Sequence, residues 1–315
     1  MDATAIIVSY NTEGLLRDAI GRLLAATARM SIKIVIVDNA STDNSVALIK
    51  SRFPGCTLIT NKTNIGFGRA NNQALALAEG RYVLLLNTDA FVSPDTVDKT
   101  IAYMDAHPRC GVLGVKLVDQ HGVPQPSARY FPTPWNQFLW RTGLNRLITN
   151  VRMVDDMTWD HASIRQCDWV PGCYYLVRKL LIDQIGLFDP RYFLYYEEVD
   201  HCYSAKKAGW DVVCFPDTTV IHLGGESAKS EGEITQSGRQ IEELQIESEL
   251  LYFWKNHGAV GVWIHVLLTT LGDVIIVVKR MLGRKAPTGF GLLLKHAIVV
   301  WSLFRRTHWG TQSTR

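Results

Sequence analysis

The sequence predicts an α/β fold: a parallel sheet covered by helices on both faces, with apolar helices following at the C-terminus. Three observations carry this. Strand and helix patterns alternate four times over roughly the first hundred residues; the strand ends are small and polar; and an apolar, basic stretch closes the chain. With 315 residues, 47% of them hydrophobic and 20% charged, the chain can bury the core of one large α/β domain and still carry an appendage, or form two modest domains.

In order, "AIIVSY" reads as a buried strand. "TEGLLRDAIGRLLAAT" then repeats apolar residues at helical spacing: Leu15, Leu16, Ala19, Ile20, Leu23 and Leu24. "KIVIVDNAS" is the second strand and "STDNSVALIKSRF" the second helix, with Ser41 or Thr42 as its candidate N-cap. "CTLITN" is a short third strand, and "GRANNQALALAEG" a helix closed by Gly80. "YVLLLN" is a fully apolar fourth strand; "TDAFVSPD" and a further helix follow. The opening "MDATAIIVSY" has no basic residue before its apolar run, so it is expected to be a first strand and not a signal peptide.

In such sheets ligands bind outside the carboxyl ends of the strands. Those ends hold Ser9, Tyr10 and Asn11, then Asp38 and Asn39, then Asn61 and Asn64, then Asn87 and Asp89. Ordinary helix-start chemistry accounts for any one set. Four in succession point to a ligand. A dinucleotide fingerprint is excluded, because "GFGRAN" follows the third strand and lacks the third glycine. The 6 cysteines form no CxxC pair, which fits a reduced compartment and no zinc finger.

The net charge of +3 conceals an asymmetry. No acid follows Asp273, yet Lys279, Arg280, Arg284, Lys285, Lys295, Arg305, Arg306 and Arg315 do. Leu/Ile/Val runs interleaved with such charges suit a membrane surface and not nucleic acid. "AVGVWIHVLLTTLGDVIIVV", Ala259–Val278, approaches a bilayer span, but His265 and Asp273 interrupt it. Interfacial helices anchored by Trp263 and Trp301 are therefore expected, with a transmembrane hairpin and a dimer interface as alternatives.

Near residue 200, "YFLYYEEVDHC" sets Glu197, Glu198 and Asp200 in an aromatic run. Either the rings cover a core while the acids face water, or one carboxylate is held partly desolvated to take a proton. The ordered segments "IIVSYN", "IVIVDNASTDNS", "NKTNIGFGRANNQAL", "YVLLLNTDA", "WVPGCYYLVRK", "FLYYEEVDHC" and "VIHLGGES" resemble family 2 glycosyltransferases of the GT-A fold. The likeness is greatest to the bacterial rhamnosyltransferase-like branch that acts on lipid-linked sugars.

That resemblance covers roughly residues 1–260 and implies a GT-A type nucleotide-binding sheet with helices on both faces; the basic, apolar tail adds C-terminal amphipathic or membrane-associated helices. The implied division is a catalytic domain over 1–250, with a nucleotide-binding half at 1–118 and an acceptor-binding half at 119–250, then a membrane-associating region over 251–315. Asp38 would accept from N3–H of a uridine or thymidine base. Asn64, Gly66 and Asn71 would line the nucleotide pocket, with Ser9, Tyr10, Asn11 and Asn87 at the same strand ends. Arg69 would face the diphosphate or simply be solvated.

"NTD" stands where the family carries D-x-D, so Asn87 replaces the first acid and Asp89 is the main carboxylate for Mg2+ or Mn2+, with His222 the second ligand. Glu198, one methylene longer than the family's usual aspartate, would be the base that takes the acceptor's proton. Phe193, Tyr195 and Tyr196 would bury it. Glu197 would orient the acceptor, and Asp200 would cap the helix "DHCYSAKKAG". Trp169 and Gly172 would lie under the acceptor, although a buried Trp reads the same way. The polar stretch Gly224–Gln240 would close over the donor or simply be disordered.

The activity implied is inverting, metal-dependent transfer of a sugar, rhamnose by the branch it resembles, from a UDP- or dTDP-sugar to a polyprenyl-diphosphate-linked glycan, for bacterial envelope polysaccharide. It would take place at the cytoplasmic face of the plasma membrane. A non-catalytic, membrane-docked sugar-nucleotide scaffold is the rival. A nucleotidyltransferase is disfavoured because "VSYNTEG" is not a basic, Gly-rich loop.

Overall fold

The computed structural model describes residues 1–27, 29–155, 157–159, 161–224, 240–282 and 290–315. The chain forms two compact units. The first comprises Met1–Arg129, Met157–Pro190 and Glu197–Gly232; the second comprises Tyr130–Asp156, Arg191–Tyr196 and Glu233–Arg315. Residues 130–156 join the C-terminal helices because the helix they contain bonds to them, as described below.

The first unit is built on a 10-stranded sheet. Its strands are β1 (Ala3–Ser9), β2 (Ile32–Asp38), β3 (Thr57–Thr60), β4 (Tyr82–Leu86), β5 (Ala90–Val92), β6 (Cys110–Val118), β7 (Pro124–Gln125), β8 (Arg165–Gln166), β9 (Tyr174–Arg178) and β10 (Asp211–His222). The spatial order is β3-β2-β1-β4-β9-β6-β10-β5, with β7 on β6 and β8 on β10. β3, β2, β1 and β4 are parallel, as the four alternations predict. β1 and β4 are buried along their whole length, as helix-covered parallel strands must be. β9 then enters antiparallel between β4 and β6, and β5 pairs antiparallel with β10.

Helices α1 (Glu13–Ala26), α2 (Ser45–Arg52), α3 (Phe67–Leu75) and α4 (Thr96–Ala106) follow β1, β2, β3 and β5. Three local expectations change. α2 begins after Asn44, so neither Ser41 nor Thr42 caps it. α3 stops at Leu75, short of Gly80, whose φ of 96° turns the chain into β4; a Cβ there would lie 2.9 Å from the Asp2 carbonyl carbon. "AFV" is the strand β5.

In the second unit, α5 (Pro134–Thr142) opens with a capping box between Thr133 and Asn136. Also in the first unit are α6 (Lys179–Ile185) and α7 (Glu197–Lys207). The second unit further holds α8 (Gln240–Leu282), interrupted at Gly258 by φ 68°, and α9 (Phe290–Arg306). Asp273, which looked like a mid-span acid, is buried. Its carboxylate accepts from Arg141 of α5 and is paired with His296 of α9 at 2.8 Å. His265 is likewise buried, with Glu249 at 3.4 Å. Lys279 Nζ donates to the Thr142 carbonyl at 2.7 Å. Trp263 packs edge-on against Trp301.

Candidate active site

At the carboxyl ends of β1 and β2, Ser9 lies opposite Asp38. The loops beyond are stitched together: Thr42 N–H donates to Asn11 Oδ1 at 2.7 Å, Asn11 N–H to Ser41 Oγ at 3.0 Å, and Glu13 N–H to Asp43 at 2.9 Å. Asn11 and Ala40 hold φ values of 51° and 71°, left-handed backbone that non-glycine residues keep only where the surroundings impose it. Ser9 is buried, its hydroxyl 3.2 Å from that of Thr12, while Tyr10 is half-buried. Asp38 is 2% exposed. Oδ1 accepts from Ser41 N–H, and Oδ2 is buried without a partner. A bare buried carboxylate oxygen is costly unless a ligand donor completes it.

Asn39, which the sequence placed only at a strand end, is a hub. Its Nδ2 donates to Asn64 Oδ1 at 2.8 Å, and its Oδ1 accepts from Asn61 Nδ2 and Ile65 N–H, both at 3.1 Å. Asn64 Oδ1 also accepts from Gly66 N–H, and Gly66 holds φ 89°, which suits glycine alone. Asn71 is buried and donates to the Phe67 carbonyl of its own helix. Arg69 donates to the Pro190 carbonyl at 2.7 Å, so its guanidinium is anchored locally.

The second cluster depends on long-range pairing. β10 runs antiparallel to β5 with His222 opposite Ala90, which sets His222 Nε2 3.8 Å from Asp89 Oδ1. Leu223 N–H donates to the Asp89 carbonyl. Burial lowers the His222 pKa against the opposing effect of Asp89, so the ring stays neutral, the form that binds metals. Gln125 of β7 grips His222 twice, with Nδ1 to Oε1 at 3.0 Å and Nε2 to the His222 carbonyl at 2.9 Å.

Asn87 Oδ1 and Thr88 Oγ1 are buried without partners beside Asp89. Hard oxygen donors and one neutral imidazole fit a divalent cation. Among the described residues no three His, Cys, Asp or Glu side chains gather to hold one, so substrate oxygens would have to supply the remaining ligands.

Cys173, the residue before β9, connects this cluster to the acids. Asn87 N–H donates to the Cys173 carbonyl at 3.0 Å, and both Asp89 and Glu198 act on the buried Cys173 thiol to raise its pKa beyond the effect of burial. The chain enters α7 through Tyr195 and Tyr196, with φ 73° and 70°. α7 then starts at Glu197, so Asp200 lies within its first turn and buried, and is not its cap.

Burial raises the Glu198 pKa, while its own and the Gly172 backbone N–H groups and the Arg129 charge pull it back. A Cβ on Gly172 would sit 3.9 Å from the Glu198 side chain, so this glycine faces the carboxylate. Glu197 is 2% exposed, and its Oε1 has no partner. Burial first, and the Glu198 charge second, drive its pKa well above the carboxylate range, further than that of Glu198.

Trp169, at 5% exposed, is a buried support. Its backbone pairs with Arg129, whose guanidinium lies 4.2 Å over its ring, so that face is not open to a sugar. Of the rings expected around Glu198, Tyr196 packs on Tyr252 at 5.3 Å, and its hydroxyl accepts from Gln137 at 2.9 Å. The stretch expected to close over the donor lies, apart from its two terminal residues, outside the described residues, as do Arg284 and Lys285. Gln125 and Arg129 escaped the sequence reading altogether.

The sequence model of the family described as Glycosyl transferase family 2 matches residues 4–158. The N-acetylglucosaminyl-diphospho-decaprenol L-rhamnosyltransferase of Mycobacterium tuberculosis is 30% identical over 234 residues, covering 69% of this chain and 74% of that protein. The poly(ribitol-phosphate) beta-N-acetylglucosaminyltransferase TarS of Staphylococcus aureus is 29% identical over 131 residues, 40% of this chain and 23% of that one. Among solved structures, a mannosyltransferase from Pyrobaculum calidifontis in complex with GDP-Man and Mn2+ superposes with a TM-score of 0.56. It is 15% identical, covering 99% of this chain and 89% of that one.

Proposed function

Because the chain belongs to glycosyl transferase family 2 and is a glycosyltransferase of the GT-A type, we propose that it moves rhamnose from a UDP- or dTDP-sugar to a polyprenyl-diphosphate-linked glycan, with inversion. The product would enter bacterial envelope polysaccharide, and the enzyme would work at the cytoplasmic face of the plasma membrane. The lipid-linked acceptor named for the mycobacterial relative supports this choice of substrate. The exposed apolar face of α8 supports the location: the segment Ile241–Lys279 is long and apolar enough to cross or line a membrane.

The observation that carries the chemistry is the unequal carboxyl pair at the start of α7. Glu198, half-buried and raised in pKa, takes the proton of an acceptor hydroxyl as its oxygen attacks the anomeric carbon. The bond from that carbon to the diphosphate breaks on the opposite face, and the nucleoside diphosphate leaves with the electron pair. Glu197, neutral and next to it, offers its proton to orient the acceptor.

On the donor side, the bare Asp38 Oδ2 accepts from the pyrimidine N3–H. Ser9, Tyr10, Asn11, Asn64, Gly66, Asn71 and Asn87 surround the nucleoside and ribose, and Gly172 borders the acceptor. Asp89 and His222 would hold Mg2+ or Mn2+, which when bound offsets charge on the departing diphosphate. Mn2+ in the mannosyltransferase neighbour supports that cofactor class.

Glu198→Gln tests the assignment. Transfer should fall about 10²–10⁴-fold, the usual worth of a general base. Stabilisation by UDP or dTDP with Mn2+, read as a thermal shift, should survive. Loss of both together would make Glu198 a structural residue.

A further inference from the structure

We infer that Gln125 is a positioning residue for the metal site, fixing the tautomer and orientation of His222; this rests on the metal role proposed for His222. The sense of the Gln125 amide is set by an anchor outside the ring. Its Nε2 donates to the His222 carbonyl at 2.9 Å, and a flipped amide would set oxygen against oxygen there. Oε1 must therefore face the imidazole, at 3.0 Å from Nδ1. An amide oxygen only accepts, so Nδ1 carries the hydrogen and Nε2 keeps its lone pair. That lone pair is on the nitrogen 3.8 Å from Asp89 Oδ1.

Gln125 is itself held in place. Leu117 N–H donates to the buried Ser127 hydroxyl at 2.9 Å, and that hydroxyl donates to the Gln125 carbonyl at 2.9 Å. The backbone of Gln125 pairs with Leu117 in β6. A chain of directed bonds thus runs from β6 through Ser127 and Gln125 to the imidazole. Such outer partners of a histidine ligand fix its ring orientation and raise its basicity, and removing one typically costs about 10–100-fold in metal affinity.

The test is Mn2+ binding by electron paramagnetic resonance of free Mn2+, with UDP present, on four proteins: wild type, Gln125→Leu, His222→Ala and the double variant. Gln125→Leu should weaken Mn2+ binding about 10–100-fold. On the His222→Ala background the same change should cost nothing further, because Gln125 acts only through the ring. Gln125→Leu binding Mn2+ as wild type, while His222→Ala does not, would overturn the inference and leave the metal site standing. Equal losses from Gln125→Leu on both backgrounds would overturn it too, showing general damage to the β6–β7 hairpin. Undiminished Mn2+ binding by His222→Ala would remove the metal reading itself, and the inference with it.

Discussion

Two adjacent carboxyls on one turn are shifted unequally by their surroundings, and the difference can be read in both stability and rate. Glu197 and Glu198 are both raised above the ordinary glutamate value, Glu197 the further of the two. The folded chain therefore keeps protons that the unfolded chain releases at about pH 4.3. Stability contributed by these groups is full below that pH and declines as pH rises through the folded pKa values. Activity runs the other way, since Glu198 must be ionised to act as a base. Glu197→Gln, which keeps the shape and cannot ionise, should lose less melting temperature between about pH 5 and neutrality than wild type. Parallel melting curves for the two proteins would mean that Glu197 has an ordinary pKa. At this scale the order of motifs singled out Asp38, Asp89, Glu198 and His222 as candidates. Gln125 was invisible: its partner is 97 residues away, and "VPQPS" reads as a turn.

The site's precision is set by how elements touch, and the segment between Cys167 and Cys173 shows this. Gly114, inside β6, has Val170 directly over it. A Cβ there would come within 2.6 Å of the Val170 Cβ, which belongs to the stiff base of a fully buried side chain. Gly114→Ala must push that segment outward, at about 1–3 kcal/mol for overpacking. The same segment carries Gly172, whose N–H bonds to Glu198, so turnover should fall along with melting temperature. Val170→Ala in the same chain should recover much of both; a double variant no better than the single would show that the contact is slack. The sequence marked β1–β4 and α1–α4 because their apolar periods are local. It missed β5, three residues long, and the insertion of β9 between β4 and β6, because antiparallel pairing across such distances leaves no local period. The start of α7 was misplaced because Glu197 and Glu198 fall inside its first turn, where acids suit a helix N-terminus as well as catalysis does.

On the scale of the whole chain, acids and bases are sorted so that one helix surface carries no charge at all. Between Ala259 and Val278 the titratable residues are His265 and Asp273, and both turn inward to partners within the second unit. What faces out is apolar: Val260, Ile264, Leu267, Leu271, Val274 and Val278, with Lys279 exposed at the end. A surface helix facing water carries charges along its outer face, and a coiled-coil seam is flanked by them. An outer face without any, ending in bases, suits the acyl–headgroup boundary of an anionic membrane. Leu267 is 55% exposed and Leu271 47%, so glutamates at both positions leave the interior of the unit untouched. The wild-type protein should sediment with phosphatidylglycerol vesicles. Leu267→Glu/Leu271→Glu should lose roughly a hundredfold or more in that partitioning, since each buried leucine is worth about 1.5–3 kcal/mol, and its melting temperature should stay unchanged. A double variant that still sediments with the vesicles would rule out this face as the docking surface and leave the basic residues to hold the enzyme there by charge, an attachment that half-molar salt would release.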